Sequence, residues 1–296
     1  MTDQARNDIY QTITDHIIAA IEAGAGDWKM PWHVKDGETS MPINSVTNRP
    51  YRGVNVIMLW TIAHSAGYSS PIWGTYKQWA ELGAQVRKGE KAAPIVFWKQ
   101  LQDEKAEDQD DDETQRARFI AKGFHVFNAD QVDGYEAPAL PLVSQSERIA
   151  HADAFFSRIG ADIRHGGSRA YYSPAYDHIQ MPPFAAFGEP TAYYATLAHE
   201  TVHWAGHGSR CVRELKGKFG SETYAAEELV AELCAAFLYA DLALASEPRP
   251  DHAAYVASWL KVLNGDKRAI FTASALAQKA ADWLHNQATE LDRKAA

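Results

Sequence analysis

The stretch His199-Glu200-Thr201-Val202-His203 constrains this chain more than any other segment. Histidines at i and i+4 share one helix face, so both imidazoles can reach a single metal ion. Glu200 stands beside the first of them, where a carboxylate can serve as general base toward water. Tyr193, Tyr194, Leu197 and Ala198 precede the motif and Gly206 and Gly208 follow it, which predicts a helix over 191–207.

A hydrolytic zinc site needs three protein ligands and one open position. The next long helical pattern, over 222–244, contains Glu227-Glu228-Leu229-Val230-Ala231-Glu232, with Glu228 and Glu232 four apart on one face. This arrangement resembles the glutamate-ligand zincins. There the first acid of such a pair binds the metal and the second orients a ligand histidine from outside. The resemblance makes His199, His203 and Glu228 the metal ligands, Glu200 the catalytic base and Glu232 the outer partner. The other zincin class requires a histidine six residues after the second, where this chain has Ser209. His207 is therefore expected beside the ligands or as a helix cap. The plain alternative is a pair of core histidines with two solvated glutamates. Cys211 and Cys234 lack the paired spacing of ligands, and Cys234 is expected to pack inside its alanine-rich helix. The segment 177–181, just before the motif helix, is the expected edge strand for an extended peptide substrate.

Composition bounds the rest. Hydrophobic residues make up 46% of 296, the share of a globular protein of about two domains. No apolar run of about eighteen residues is present, so no membrane partner is expected. Two cysteines cannot form a disulfide framework, and the first residues are polar and acidic; a cytoplasmic protein is expected. The net charge of -9, taken whole, argues against nucleic acid.

The N-terminal half reads as helices over 9–24, 54–66 and 75–81, then a strand over 93–100 and a second over 116–128. Six of nine tryptophans fall in the first 100 residues, among them Trp28, Trp32, Trp73 and Trp98. Trp60, inside an apolar helix, is expected in the core. Cations interleave with aromatics at Trp28/Lys29, Tyr51/Arg52, Tyr76/Lys77 and Trp98/Lys99, joined by Arg49, Arg87, Lys88 and Lys91. Single-stranded nucleic acid is held by such pairings, bases on aromatic faces and phosphates on cations. Arg49, Tyr51, Arg52, Lys88 and Lys91 are the expected DNA contacts. After a Pro/Gly-rich linker come a helix over 144–159, short strands over 161–164, 169–172 and 177–181, and three helical stretches, the last over 251–285 and interrupted at Gly265.

These residues carry a resemblance over nearly the whole chain. Trp-x-x-Pro-Trp at 28–32, Asn-x-x-Thr-x-Arg-x-Tyr-x-Gly-x-Asn at 44–55, Trp-x-x-Tyr-x-Gln-Trp at 73–79 and Val-Arg-Lys-Gly-Glu-Lys at 86–91 resemble the N-terminal domain of plasmid antirestriction proteins of the ArdC/TraC type. Residues 194–207 and 224–232 resemble their metallopeptidase domain. The resemblance implies an α+β chain with a single-stranded-DNA-binding domain at 1–135, a linker at 136–143 and a zincin-like domain at 144–296. It implies Zn2+ or another divalent ion, an unknown protein substrate such as a host restriction component, and protection of incoming conjugative DNA. Two further readings stay open: a non-enzymatic DNA-coating protein with a structural or vestigial metal site, and a metallopeptidase whose N-terminal half binds only proteins.

The charge changes meaning once it is located. Residues 103–113 hold eight acids and one lysine, seven of the nine net negative charges, and the rest of the N-terminal half is near neutral. An acidic segment of this kind can imitate nucleic acid and cover basic surface. Its deletion is expected to tighten single-stranded DNA binding in a titration at fixed salt; unchanged affinity dismisses the idea.

Overall fold

The computed structural model describes residues 8–24, 40–100, 119–138, 144–213, 221–244 and 252–295. The acidic run at 103–113, the Trp28–Trp32 loop and positions 139–143 of the expected linker lie outside these residues. Helices and small sheets mix throughout, as the composition and patterning predict.

Helix α1 (Ile9–Gly24) buries Ile13, Ile17 and Ile21 completely, a stripe with one residue per turn. Strand β1 (Ile43–Asn44) leads to α2 (Val54–Ala66), which ends at Gly67 in the left-handed conformation. Then come β2 (Ile72–Gly74), α3 (Tyr76–Glu81), β3 (Gln85–Val86), β4 (Ala93–Gln100), β5 (Phe119–Asn128) and β6 (Val132–Asp133). Thr75 and Gln78 close the start of α3 with a reciprocal capping box. One sheet has the order β1-β2-β5-β4, and β3 pairs with β6 in a second. The expected hairpin is present: β4 and β5 are antiparallel from Ala93↔Val126 to Gln100↔Phe119. Asn55 side-chain amide atoms grip both the N–H and the C=O of Val96 at 2.8 Å, fastening α2 to this hairpin. Strands β1, β2, β3 and β6 span two or three residues each, too short to show a period of two in the sequence.

The C-terminal half opens with α4 (Gln145–Arg158), capped by Ser144 and Glu147. Strands β7 (Asp162–His165), β8 (Tyr171–Ser173) and β9 (His178–Met181) precede α5 (Pro190–Ala205), α6 (Glu222–Leu242), α7 (His252–Gly265) and α8 (Ala269–Ala295). The three-stranded sheet has the order β7-β9-β8. This corrects the reading of 177–181 as the edge strand. β9 is central, parallel to β7 and antiparallel to β8, so both its edges are taken, and among the described residues β7 and β8 each keep one edge without a partner strand. Its mostly buried side chains report a strand covered on both sides, which the sequence alone does not separate from an edge.

One large hydrophobic cluster draws on both halves: Ile13 and Ile17 of α1, Trp60 of α2, and Phe237, Phe271 and Leu284 of α6 and α8. Trp60 stacks obliquely on Phe237 at 6.0 Å and Tyr10 on Phe271 at 4.7 Å. At Gly53, φ is 56° and ψ -132°, a conformation reserved for glycine, and its N–H donates to the Gln278 side chain at 3.0 Å. Among the described residues, no helix is long and apolar enough to cross a membrane.

Gly74 marks a tight approach. A Cβ there would stand 2.3 Å from Ser45 Oγ and 3.1 Å from the buried Trp79 ring, which is pinned by its hydrogen bond to Phe127 O. Gly74→Ala is expected to cost about 1–3 kcal/mol, the range for overpacking, in a denaturant titration. An unchanged midpoint would show that this packing is loose.

Candidate metal centre

Helix α5 begins with Pro190 at its first turn and stops at Gly206, whose N–H returns to the carbonyls of Val202 and His203, while the His207 N–H takes that of Trp204. Helix α6 starts at Ser221, whose hydroxyl accepts from Tyr224 N at 3.2 Å. The two helices pack together, and His199, His203 and Glu228 meet between them. His199 Nε2 lies 3.1 Å from His203 Nε2 and 3.3 Å from Glu228 Oε2; His203 Nε2 lies 3.5 Å from Glu228 Oε1. An ion about 2.1 Å from three tetrahedral ligands spaces them about 3.4 Å apart, so the donor set fits a divalent cation. Both imidazoles turn the same nitrogen inward, and His199 and Glu228 are buried.

His203 Nδ1 faces Glu227 Oε1 at 3.3 Å. A proton on Nδ1 leaves the Nε2 lone pair for the ion. Glu227 is held in turn by Arg213, whose Nε and Nη2 donate at 2.9–3.2 Å and whose Nη2 also reaches Val202 O at 2.5 Å. Burial lowers the His203 pKa, but the hydrogen bond to Glu227 and the charges of Glu228 and Glu200 raise it further, for a net upward shift. Burial pushes Glu228 up, and the neighbouring histidines overcome this and hold it at about 2. Glu227 is net lowered: burial raises it, while hydrogen bonds from His203 and Arg213 bring it down.

Glu200 is buried beside this cluster, and its Oε2 accepts the backbone N–H of Tyr172 at 2.9 Å. Strand β8 is fixed there by a polar cluster. Tyr172 donates its hydroxyl to Asp177 at 2.9 Å, Arg210 pairs with Asp177, and the Arg210 guanidinium lies over the Trp204 ring at 4.1 Å. The loop after α5 thus carries two anchoring arginines, one behind the base and one behind a ligand.

The sequence assigns the outer carboxylate on a ligand histidine to Glu232; the structure adds Glu227, whose Oε1 faces His203 Nδ1. Glu232 is buried one turn beyond Glu228, about 6 Å along the helix axis. Glu227, next to Glu228, points toward α5 because Arg213 holds it there. The Glu227-Glu228 doublet is visible in the sequence, but nothing in the spacing marks Arg213. His207 sits in the turn after α5, its Nδ1 against Ser209 Oγ at 2.8 Å.

The expected DNA contacts do not form one surface. Arg49, Lys88 and Lys91 are exposed. Arg52 pairs with Asp282 and lines a groove against α8, whereas Lys88 lines a different one with Tyr76 and Arg87. The Tyr51 hydroxyl is committed inward, accepting from Asn44 Nδ2 at 3.2 Å and donating to Trp73 O at 3.4 Å. Its partly buried ring packs on the core.

Glu227→Gln removes the charge behind His203 and is expected to weaken Mn2+ or Zn2+ binding about 10- to 100-fold by isothermal titration. Wild-type affinity in that variant would remove Glu227 from the metal site.

Comparison with known proteins extends over both halves. Residues 7–127 match the model of the N-terminal domain of anti-restriction factor ArdC, and residues 150–276 match that of a zincin-like metallopeptidase. An uncharacterized protein of Sinorhizobium fredii, y4eC, is 50% identical over 99% of this chain and 96% of its own length. Two Escherichia coli proteins named DNA primase TraC are 36% identical over 95% of this chain, which spans 27% and 20% of their lengths. The crystal structures of antirestriction protein ArdC from plasmid R388, one Mn(II)-bound and one metal-free, superpose with TM-scores of 0.77 at 44% identity. They cover 95% and 96% of this chain and 98% of their own. The chain belongs to the ArdC family of antirestriction proteins.

Proposed function

We propose that this protein binds single-stranded DNA through its N-terminal half, residues 1–135, and hydrolyses a peptide bond in its C-terminal half, residues 144–296. In this reading it protects incoming conjugative plasmid DNA from host restriction in the cytoplasm, and a host restriction component is the protein substrate. His199, His203 and Glu228 hold the ion. Zn2+ suits two imidazoles and a carboxylate, and Mn2+ accepts the same set. The observation that carries the reading is the convergence of two imidazole nitrogens and the two Glu228 oxygens at 3.1–3.5 Å beside a buried glutamate.

The ion, when bound, supplies Lewis acidity toward the substrate carbonyl. The residues supply the rest. Glu200 Oε2 is occupied by the Tyr172 N–H, which leaves Oε1 to take a proton from the attacking water and later pass it to the leaving amine. The edge of β8 that no described strand pairs lies next to this carboxylate, which holds its Tyr172 N–H, so an extended peptide aligned there would run past the base. Glu232 and His207 support the site from outside the ligand set. Arg49, Arg52, Lys88 and Lys91 supply exposed positive charge for the DNA backbone.

Glu200→Gln is expected to keep metal binding and to lower cleavage of a protein substrate by at least about 100-fold, as loss of a general base does. Retained proteolysis would refute the assignment. If the variant still shields incoming DNA from restriction in cells, shielding comes from coating the strand.

A further inference from the structure

The β4–β5 hairpin exposes three aromatic rings. Phe97 is 62% exposed, Trp98 43% and Phe124 37%. Single surface aromatics are ordinary, but these are organised. The register pairs Phe97 with Lys122 and Ile95 with Phe124, so Phe97, Lys122 and Phe124 share one face. The two phenylalanine rings meet edge to face at 6.3 Å, and the Lys122 ammonium lies 5.3 Å from the centre of Phe124.

Trp98 points to the opposite face, edge-on to Phe271 of α8 at 6.5 Å. With Phe97 it lines a groove bounded by β4, the start of α2 and α8. Two exposed cations stand in this groove, Arg52 from the start of α2 and Lys279 from α8. Arg52 is steered by its ion pair with Asp282, and the Lys279 ammonium rests 3.4 Å from the Cys211 carbonyl. Gly53 puts no side chain into the groove, and its N–H is already satisfied by Gln278.

Exposed rings at neighbouring strand positions, with a cation beside them and two more in a connected groove, match what a flexible polyanion with flat bases requires. We propose that single-stranded nucleic acid lies along this track. Its bases stack on Phe124, Phe97 and Trp98, and its phosphates meet Lys122, Arg52 and Lys279. Helix α8, in the metallopeptidase half, is therefore part of the nucleic-acid site. The proposal rests on the single-strand reading given above and locates its surface.

The test uses the full-length protein and a fluorescent oligothymidylate of about 20 nucleotides, read by anisotropy across a salt series. Phe97→Ala/Phe124→Ala is expected to weaken binding by about tenfold or more. Lys279→Gln is expected to make the slope of log affinity against log salt shallower by about 0.7. Lys88→Gln/Lys91→Gln, with Lys88 lining the separate groove, is expected to lose less affinity than the double phenylalanine variant. If the double phenylalanine variant and Lys279→Gln both keep wild-type affinity and slope while the wild type binds, the track is wrong and the single-strand reading stands. Loss confined to the Lys88/Lys91 variant also overturns the track. A wild-type protein that does not bind the oligonucleotide removes the single-strand reading and the track together.

Discussion

The burial of His199, His203 and Glu228 against one another is the constraint around which the rest is arranged. Each of these groups is strongly hydrated in the open chain, and placing them together out of water is costly without a partner of opposite charge or a coordinated cation. The fold meets this cost in layers. The ligand atoms converge at ion-binding spacing, Glu227 stands behind His203, and Arg213 stands behind Glu227. Each layer fixes the orientation of the one inside it. A protein interior tolerates such a charged cluster only where every member is anchored, and the anchors here come from α5, α6 and the loop between them.

That rigidity is needed because the base sits on a different kind of support. Glu200 is held by a backbone N–H of a three-residue strand, and so short a strand has little stability of its own. Its position comes from pairing with β9 and from the Tyr172–Asp177–Arg210 cluster, which ties the β8–β9 turn to the end of the motif helix. The Asp177 backbone takes a positive φ of 50°, unusual for a residue other than glycine, and its carboxylate is held below its usual range mainly by the Arg210 hydrogen bond. The arrangement places strain in the turn and a strong ion pair across it.

Much of this was legible in the sequence, for identifiable reasons. The i, i+4 histidines and the isoleucine stripe of α1 are local patterns, and helices are built from local contacts. Trp60 inside an apolar helix had to be core, and it is. The misplacements are all tertiary. Glu227 was missed because its direction toward His203 is set by Arg213, which lies before α6 and which no spacing marks. The segment 177–181 looks like any half-polar strand, and only pairing on both sides reveals it as central. The inward hydrogen bonds of the Tyr51 hydroxyl likewise leave no mark in the sequence. The two-residue strands leave no periodic trace at all.

The aromatic contacts that join the halves also have a mechanical meaning. Trp98 of the hairpin bears on Phe271, Phe271 belongs to α8, and α8 packs along α6, the helix that carries Glu228. Well-packed interiors are nearly incompressible and pass displacement on rather than absorbing it. Helix α8 therefore works as a beam clamped between the two ends of the molecule. The hairpin and the metal-ligand helix thus rest on one continuous packed element.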